Sequence, residues 1–235
     1  MKVLGIETSG YANAIGVVDG DRILADFNFS AKADSLEKII LDIDFALKKS
    51  GLNLRDIQGI GVGLGPGSWT GIRVGITVGK ILAYSASKLI CGVPTLEVLA
   101  YQARDTHTLI CPIISTGAKD TVYAAFYRPE NDIIKQIGEY YVGDLPGLAR
   151  MVREPVVFIG AEAKVYHQLI SQALGSPGIN LEAREVVPSG AMVALLAEAR
   201  LESGEGNDPL PLEPLYLKEP TAKAFLSRSS RSAQV

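Results

Sequence analysis

The sequence predicts an α/β protein of two lobes built on one plan, with the order βββαβαβα met twice along the chain. Three observations carry that prediction. Apolar runs of strand character and apolar positions at helical spacing follow one another in the same order before and after residue 106. Gly10, Asp19-Gly20 and Ser50-Gly51 mark turns and ends between the first of these segments. The 235 residues are 47% hydrophobic and 21% charged, enough apolar matter for a sizeable core and outside the disordered, collagen-like and coiled-coil ranges.

In the first half, Lys2 to Ile6 and Ala14 to Val18 are short apolar runs, and Arg22 to Phe29 alternates as RILADFNF. Turns at Gly10 and Asp19-Gly20 join them into three strands. Asp34 stands three residues before Glu37, the spacing of an N-cap with a reciprocal glutamate. Leu36, Ile39, Ile40, Ile43, Ala46 and Leu47 then repeat at helical spacing until Ser50-Gly51. Ile57 to Leu64 is a strand with Ile60, Val62 and Leu64 on one face, while Gly59, Gly61 and Gly63 leave the other nearly bare, so a close neighbour is expected there. A helix from about Trp69 to Ser85, a strand Leu89 to Gly92 and a helix Thr95 to Arg104, capped by Thr95, complete the half.

The order then repeats. Strands are expected near Leu109 to Ser115, Thr121 to Tyr127 and Ile133 to Val142, with a short helix Leu145 to Val152. Pro155 to Ile159 is a strand, Ala161 to Leu174 a helix, Glu185 to Val187 a strand, and Ser189 to Glu202 a helix capped by Ser189. From Gly204 the chain turns proline-rich and reads as an extended strap. Thr221 to Val235, with four serines and three cations, is expected to be disordered. The lobes are therefore placed at 1–106 and 107–218, with a tail at 219–235.

A formal net charge of −3 is no footprint for holding a polyanion alone. The two cysteines, Cys91 and Cys111, are too few for a disulfide framework, and His107 and His167 lie too far apart in sequence for a local histidine metal cluster. The start turns polar at Glu7, too early for a signal peptide, and no run approaches the ~20 apolar residues of a membrane span, so a cytoplasmic protein is expected.

The strongest local signal is GPGSWTGIRVG, residues 65–75, between a buried strand and a helix. Glycines there admit a ligand close to backbone N–H groups, and the helix N-terminus favours an anion, so Gly65, Gly67, Ser68 and Thr70 are candidate phosphate contacts, joined by Thr8 and Ser9 of the first turn. A plain strand-to-helix turn capped by Ser68 or Thr70 accounts for the same residues. It is no Walker A loop, since no Gly-Lys-Ser/Thr follows. Within the helix, Gly71, Gly75, Gly79 and Ala83 line one face, each glycine costing about 1 kcal/mol relative to alanine, so something packs closely against it. Either the protein's own sheet or another subunit's helix would serve. No nucleophile elbow, Cys/His pair, His-Glu-x-x-His or fixed carboxylate pair occurs, so neither catalytic nor metal-ligating residues are assigned.

Four segments together, VLGIETSG, GPGSWTGIRVG, GVPTLEVLA and the late PLYLKEP, resemble the TsaB (YeaZ) family of tRNA threonylcarbamoyladenosine biosynthesis. The resemblance implies the duplicated fold of actin, hexokinase and Hsp70 and a noncatalytic scaffold subunit. That subunit would pair with the transferase TsaD, be joined by the ATPase TsaE, pair with itself when alone, and meet tRNA only through the complex. The implied partner surface takes in Leu36, Ile39, Ile40, Ile43, Gly71, Val74, Gly75, Val78, Gly79 and Leu82. No cofactor of its own is implied, with ATP or ADP left to the boundary between subunits. The chain departs from the family pattern at Thr116-Gly117-Ala118, where many members have Asp-Ala-Arg, and at Asp34-Ser35, where His-Ser or His-Thr is common. The rival readings are an autonomous ATPase or peptidase-like enzyme on the same fold, and a homodimeric binding module.

Overall fold

The structure, a computed structural model, describes residues 1–29, 35–130, 133–174, 179–206 and 208–218, with Ser35 and Leu36 described in backbone only. Strands β1 (Lys2–Glu7), β2 (Asn13–Asp19), β3 (Arg22–Phe29), β4 (Gly59–Gly63) and β5 (Leu89–Val93) form one sheet in the order β3-β2-β1-β4-β5. Strands β6 (Leu109–Ser115), β7 (Thr121–Glu130), β8 (Ile133–Asp144), β9 (Val156–Gly160) and β10 (Leu181–Glu185) form the other in the order β10-β9-β6-β7-β8. Read from the opposite edge, the second order is the first repeated. In each, the opening three strands pair antiparallel and the last two join parallel, as crossover helices require.

The helices are α1 (Ile39–Lys49), α2 (Trp69–Ala86) and α3 (Thr95–Tyr101) in the first half, and α4 (Leu145–Ala149), α5 (Ala163–Leu174) and α6 (Gly190–Glu202) in the second. Helix α1 follows a 3-10 turn, Ser35–Lys38, and has no side-chain N-cap; the expected cap Asp34 lies outside the described residues, as does the tail 219–235. Ser68 caps α2 by accepting from the N–H of Gly71 at 3.2 Å, and Ser189 caps α6 by accepting from Met192 at 3.2 Å. The last strand is Leu181–Glu185, not Glu185 to Val187. It is a half-exposed edge strand paired with β9, so its sequence LEARE is too polar to show as a strand.

The bare face of β4 is covered by α6, which arrives from the far half of the chain. A Cβ at Gly61 would lie 2.7 Å from Ala197 Cβ, and one at Gly59 would lie 2.5 Å from Leu201 Cδ1. Gly5 and Gly16 allow the same helix onto β1 and β2, where a Cβ would lie 2.0 Å from backbone atoms of Gly190 and Ala191. Reciprocally, α3 follows the first sheet but packs beneath the second, with Leu96, Leu99, Ala100 and Ala103 buried among Ile110, Ala125, Tyr127 and Ile159. The last helix of each half thus closes the other half's sheet.

The other face of the first sheet carries α1 and α2. Ile39, Ile43, Ala46 and Leu47 of α1 join Leu4, Ile6, Ile60, Val62, Ile72, Ile76 and Ala83 in one buried cluster. The glycine face of α2 turns into this core: Cβ atoms at Gly71, Gly75 and Gly79 would lie 2.0 Å from Thr8 O, 2.2 Å from Thr8 Oγ1 and 2.3 Å from Val62 Cγ1. Its compensation is the protein's own sheet. The strap then crosses α2, where Leu212 is buried, Lys80 donates to the carbonyls of Leu210 and Leu212, and the N–H of Leu215 donates to Leu64 O at 2.9 Å.

Candidate functional site

Between the sheets lies a cleft of about 890 Å³. The C-terminal ends of β1 and β6, the loop before α2 and the start of the segment before α5 build it, which is where crossover topology leaves a crevice. Its first-lobe wall includes Glu7, Ser9, Gly67, Ser68, Trp69 and Arg73, and its second-lobe wall includes Ser115, Thr116, Tyr123, Glu162 and Tyr166.

Of the six residues expected to contact phosphate, Ser9, Gly67 and Ser68 line the cleft. Thr8, Gly65 and Thr70 do not. The Thr8 hydroxyl is buried beneath α2 and donates to Gly71 O at 2.7 Å, and Gly65 faces Ile72 and accepts from the N–H of Thr95 through its carbonyl. Thr70 is exposed away from the cleft lining. The loop also serves the protein itself: the N–H of Ser68 donates to Ser9 O at 2.7 Å, and a Cβ at Gly67 would lie 2.4 Å from that same oxygen. The reading of Ser68 as a cap holds. Thr95, expected as a cap, is instead the first helical residue of α3 and turns its hydroxyl toward Glu7.

Glu7 is the floor of the cleft and is engaged by its own chain. Its Oε1 accepts from the N–H of Ser9 at 2.7 Å and its Oε2 accepts from the Thr95 hydroxyl at 2.8 Å, with Ser9 Oγ 3.1 Å from Thr95 Oγ1. A Cβ at Gly63 would lie 2.3 Å from Oε2, so only glycine there leaves room for the carboxyl. Burial pushes Glu7 above the usual carboxylate range, against the opposing effect of those hydrogen bonds. The folded chain therefore binds a proton where an unfolded glutamate has lost it, and this contribution makes stability fall as pH rises from about 4.3, the ordinary glutamate value. In Glu7→Gln, neutral at every pH, that part of the slope is expected to vanish. Thermal unfolding from pH 4 upward, run on both proteins, should show the variant gaining on the native chain as pH rises; a constant difference would contradict it.

On the second-lobe wall, the Tyr166 hydroxyl donates to Glu162, and burial with this bond raises Tyr166 to about 12. Asp120 is not in the cleft lining. Among the described residues no group of three His, Cys, Asp or Glu could hold a metal ion, and the cleft residues do not fit a divalent-metal site. His167 Nε2 lies 3.2 Å from Leu181 O on the far side of α5, a structural role.

The sequence reading missed the aromatic lip of the cleft. Trp69 stacks on Tyr216 of the strap at 4.3 Å, the Arg73 guanidinium lies 4.1 Å over the Trp69 ring, and Arg73 Nε donates to the Tyr216 hydroxyl at 2.9 Å. Lys218 follows at the cleft wall. The i, i+4 placement of Trp69 and Arg73 was the available signal; their strap partner lies more than 140 residues away and left no trace in the pattern.

The second surface is the outward side of α1 and α2. Of the residues assigned to a partner surface, Ile39, Ile43, Gly71, Gly75 and Gly79 are buried in this chain's own core, a correction that follows from the glycine face packing on Thr8 and Val62. Leu36 has no described side chain. Ile40 is 53% exposed, Val74, Val78 and Leu82 are half-buried, and Leu41, Phe45, Ile81 and Tyr84 add apolar surface that the sequence reading did not include.

Two like lobes joined through exchanged helices around a cleft define the fold of the actin and hexokinase type. A solved YeaZ from Pseudomonas aeruginosa superposes with a TM-score of 0.78 at 20% identity, covering 92% of this chain and 99% of that one. A ROK hexokinase from Thermus thermophilus superposes with a TM-score of 0.53 at 14% identity over 86% of this chain and 100% of the other, which shows the fold alone. The family model for TsaD, tRNA N6-adenosine threonylcarbamoyltransferase, matches residues 29–224. The tRNA threonylcarbamoyladenosine biosynthesis protein TsaB of Bacillus subtilis is 30% identical over 95% of this chain and 97% of its own. The chain belongs to the TsaB family, within the wider family that the TsaD model describes. The tRNA N6-adenosine threonylcarbamoyltransferase of B. subtilis is 25% identical over 93% of this chain, which spans 58% of that enzyme.

Proposed function

We propose that this chain is the noncatalytic subunit of the assembly that makes threonylcarbamoyladenosine on tRNA. It pairs with TsaD, accommodates the ATPase TsaE, and meets tRNA only through the complex. ATP or ADP, where it enters, sits at the subunit boundary, and the assembly works in the cytoplasm. No helix among the described residues is long and apolar enough to cross a membrane.

The observation that supports this reading best is the outward face of α1 and α2, where Ile40, Leu41, Ile81 and Tyr84 stand exposed beside half-buried Val74, Val78 and Leu82. Exposed apolar residues on both helices, with the charges of Asp44, Lys48 and Arg73 on the same elements, are the composition of a protein interface, with an apolar centre and a polar rim. TsaD belongs to the same wider family, so a like pair of helices is expected in it, and one face would serve both a heterodimer and a homodimer of the chain alone. Size-exclusion chromatography with light scattering tests it. The chain alone is expected at twice its 25.0 kDa mass, and equimolar TsaD should convert it to a one-to-one heterodimer. Two species that pass through the column unchanged would remove the reading.

A further inference from the structure

We infer that α3 is a rigid strut fixed to both lobes, which holds the cleft between them at one width, so that whatever enters meets a preformed cavity. At its N-terminal end α3 is tied to the first lobe: the Thr95 N–H donates to Gly65 O at 2.8 Å, and the Thr95 hydroxyl donates to the buried Glu7. Along its length Leu96, Leu99 and Ala100 are buried against the second sheet. On its flank both oxygens of Glu97 accept from Arg200 Nη2 of α6, at 2.5 and 2.6 Å. Arg200 Nη1 also donates to Gly92 O of β5 at 3.0 Å, and α6 itself is seated on the first sheet. Beyond its C-terminal end, Gln102 Nε2 donates to Val187 O at 3.1 Å, joining the two segments by which the chain crosses between lobes.

Rotation of one lobe on the other would have to break these ties together. Glu97 rides on a helix embedded in the second lobe, yet its carboxylate grips a cation anchored on the first. Both side chains are largely shielded, so opening the pair leaves charge behind in a poorly solvated place. Hinges that move freely are built from a few residues that absorb the change in backbone angles. Here the crossing is fixed at its start, flank and end.

Distance measurements between nitroxide labels on the two lobes, one on each, test the inference. The labels go on Thr70→Cys and Lys119→Cys, both exposed, while native Cys91 and Cys111 are buried and a chain without the introduced cysteines reports any labelling of them. The native background should give one narrow distribution, unchanged by added magnesium and ATP. Arg200→Lys keeps the charge but loses the two-pronged grip, and should widen the distribution or add a second distance. Glu97→Gln with Arg200→Met, which removes both charges, should widen it further. A broad or two-distance distribution in the native background, a shift on adding magnesium and ATP, or a folded Arg200→Lys variant with the native distribution would each overturn the strut. Loss of stability alone does not move this readout.

Discussion

Leucine in place of Gly75 is expected to destabilise the fold rather than to silence a surface. The added Cβ would stand 2.2 Å from Thr8 Oγ1, and Thr8 cannot retreat because its hydroxyl donates to Gly71 O and it is buried under the helix. Gly79→Leu meets the β-branched Val62 at 2.3 Å, in the middle of the sheet. Overpacking of this kind typically costs about 1–3 kcal/mol, and leucine adds three carbons beyond the one already in collision. Against a usual stability of about 5–15 kcal/mol, we expect a loss of several kcal/mol, read as a fall in the urea midpoint followed by circular dichroism. Gly10→Ala, where nothing lies within 4 Å of the new carbon, is the control and should shift stability by less than about 0.5 kcal/mol. A Gly75→Leu protein with the native midpoint would mean that the glycine face does not carry the core.

The converse is expected on the opposite side of the same helix. Ile81→Asp leaves the fold intact, since Ile81 is 60% exposed and outside the buried clusters, but places a charge at the centre of the proposed pairing face. Ile40→Asp does the same on α1. Central apolar anchors of interfaces cost about 2 kcal/mol or more on truncation, so affinity for TsaD should drop by roughly 30-fold or more in either variant, and self-pairing should be lost. Biolayer interferometry with unchanged urea midpoints would establish this. Native affinity in both variants would move the partner elsewhere on the molecule. Together the two sets of variants separate glycines that build the core from isoleucines that face outward, two groups that the sequence pattern had merged.

How that merging arose shows what local pattern can and cannot reveal. Element order and type were legible because each rests on periodicity within ten or twenty residues, and the repeat of βββαβαβα pointed to two like lobes. The bare face of Gly59, Gly61 and Gly63 correctly announced close neighbours, yet their identities, the distant helix α6 over Gly59 and Gly61 and the Glu7 carboxyl over Gly63, are tertiary facts with no local signature. The four-residue spacing of Gly71, Gly75 and Gly79 likewise announced close contact without saying whose. Physical chemistry alone could not choose between sheet and partner, because both ask for the same small residues. Edge strand Leu181–Glu185 escaped because half exposure permits a charged sequence. The cleft was half legible: its glycine loop stood out, while Trp69 and Arg73, Tyr216, and Glu162 with Tyr166 come together from three separate segments. Glu7 stood out in the sequence only as the point where the start of the chain turns polar, and only the structure reveals a buried carboxyl that knots β1 to α3.

The most direct measurement is reconstitution of the modification itself. TsaD, TsaE, the enzyme that makes the threonylcarbamoyl adenylate, ATP, bicarbonate, threonine and tRNA are combined with and without this chain, and threonylcarbamoyladenosine is quantified by mass spectrometry after nuclease digestion. Modified adenosine is expected only when the chain is present, and Ile81→Asp should fail to supply it. Equal modification without the chain, from partners of the same organism, would contradict a scaffold role.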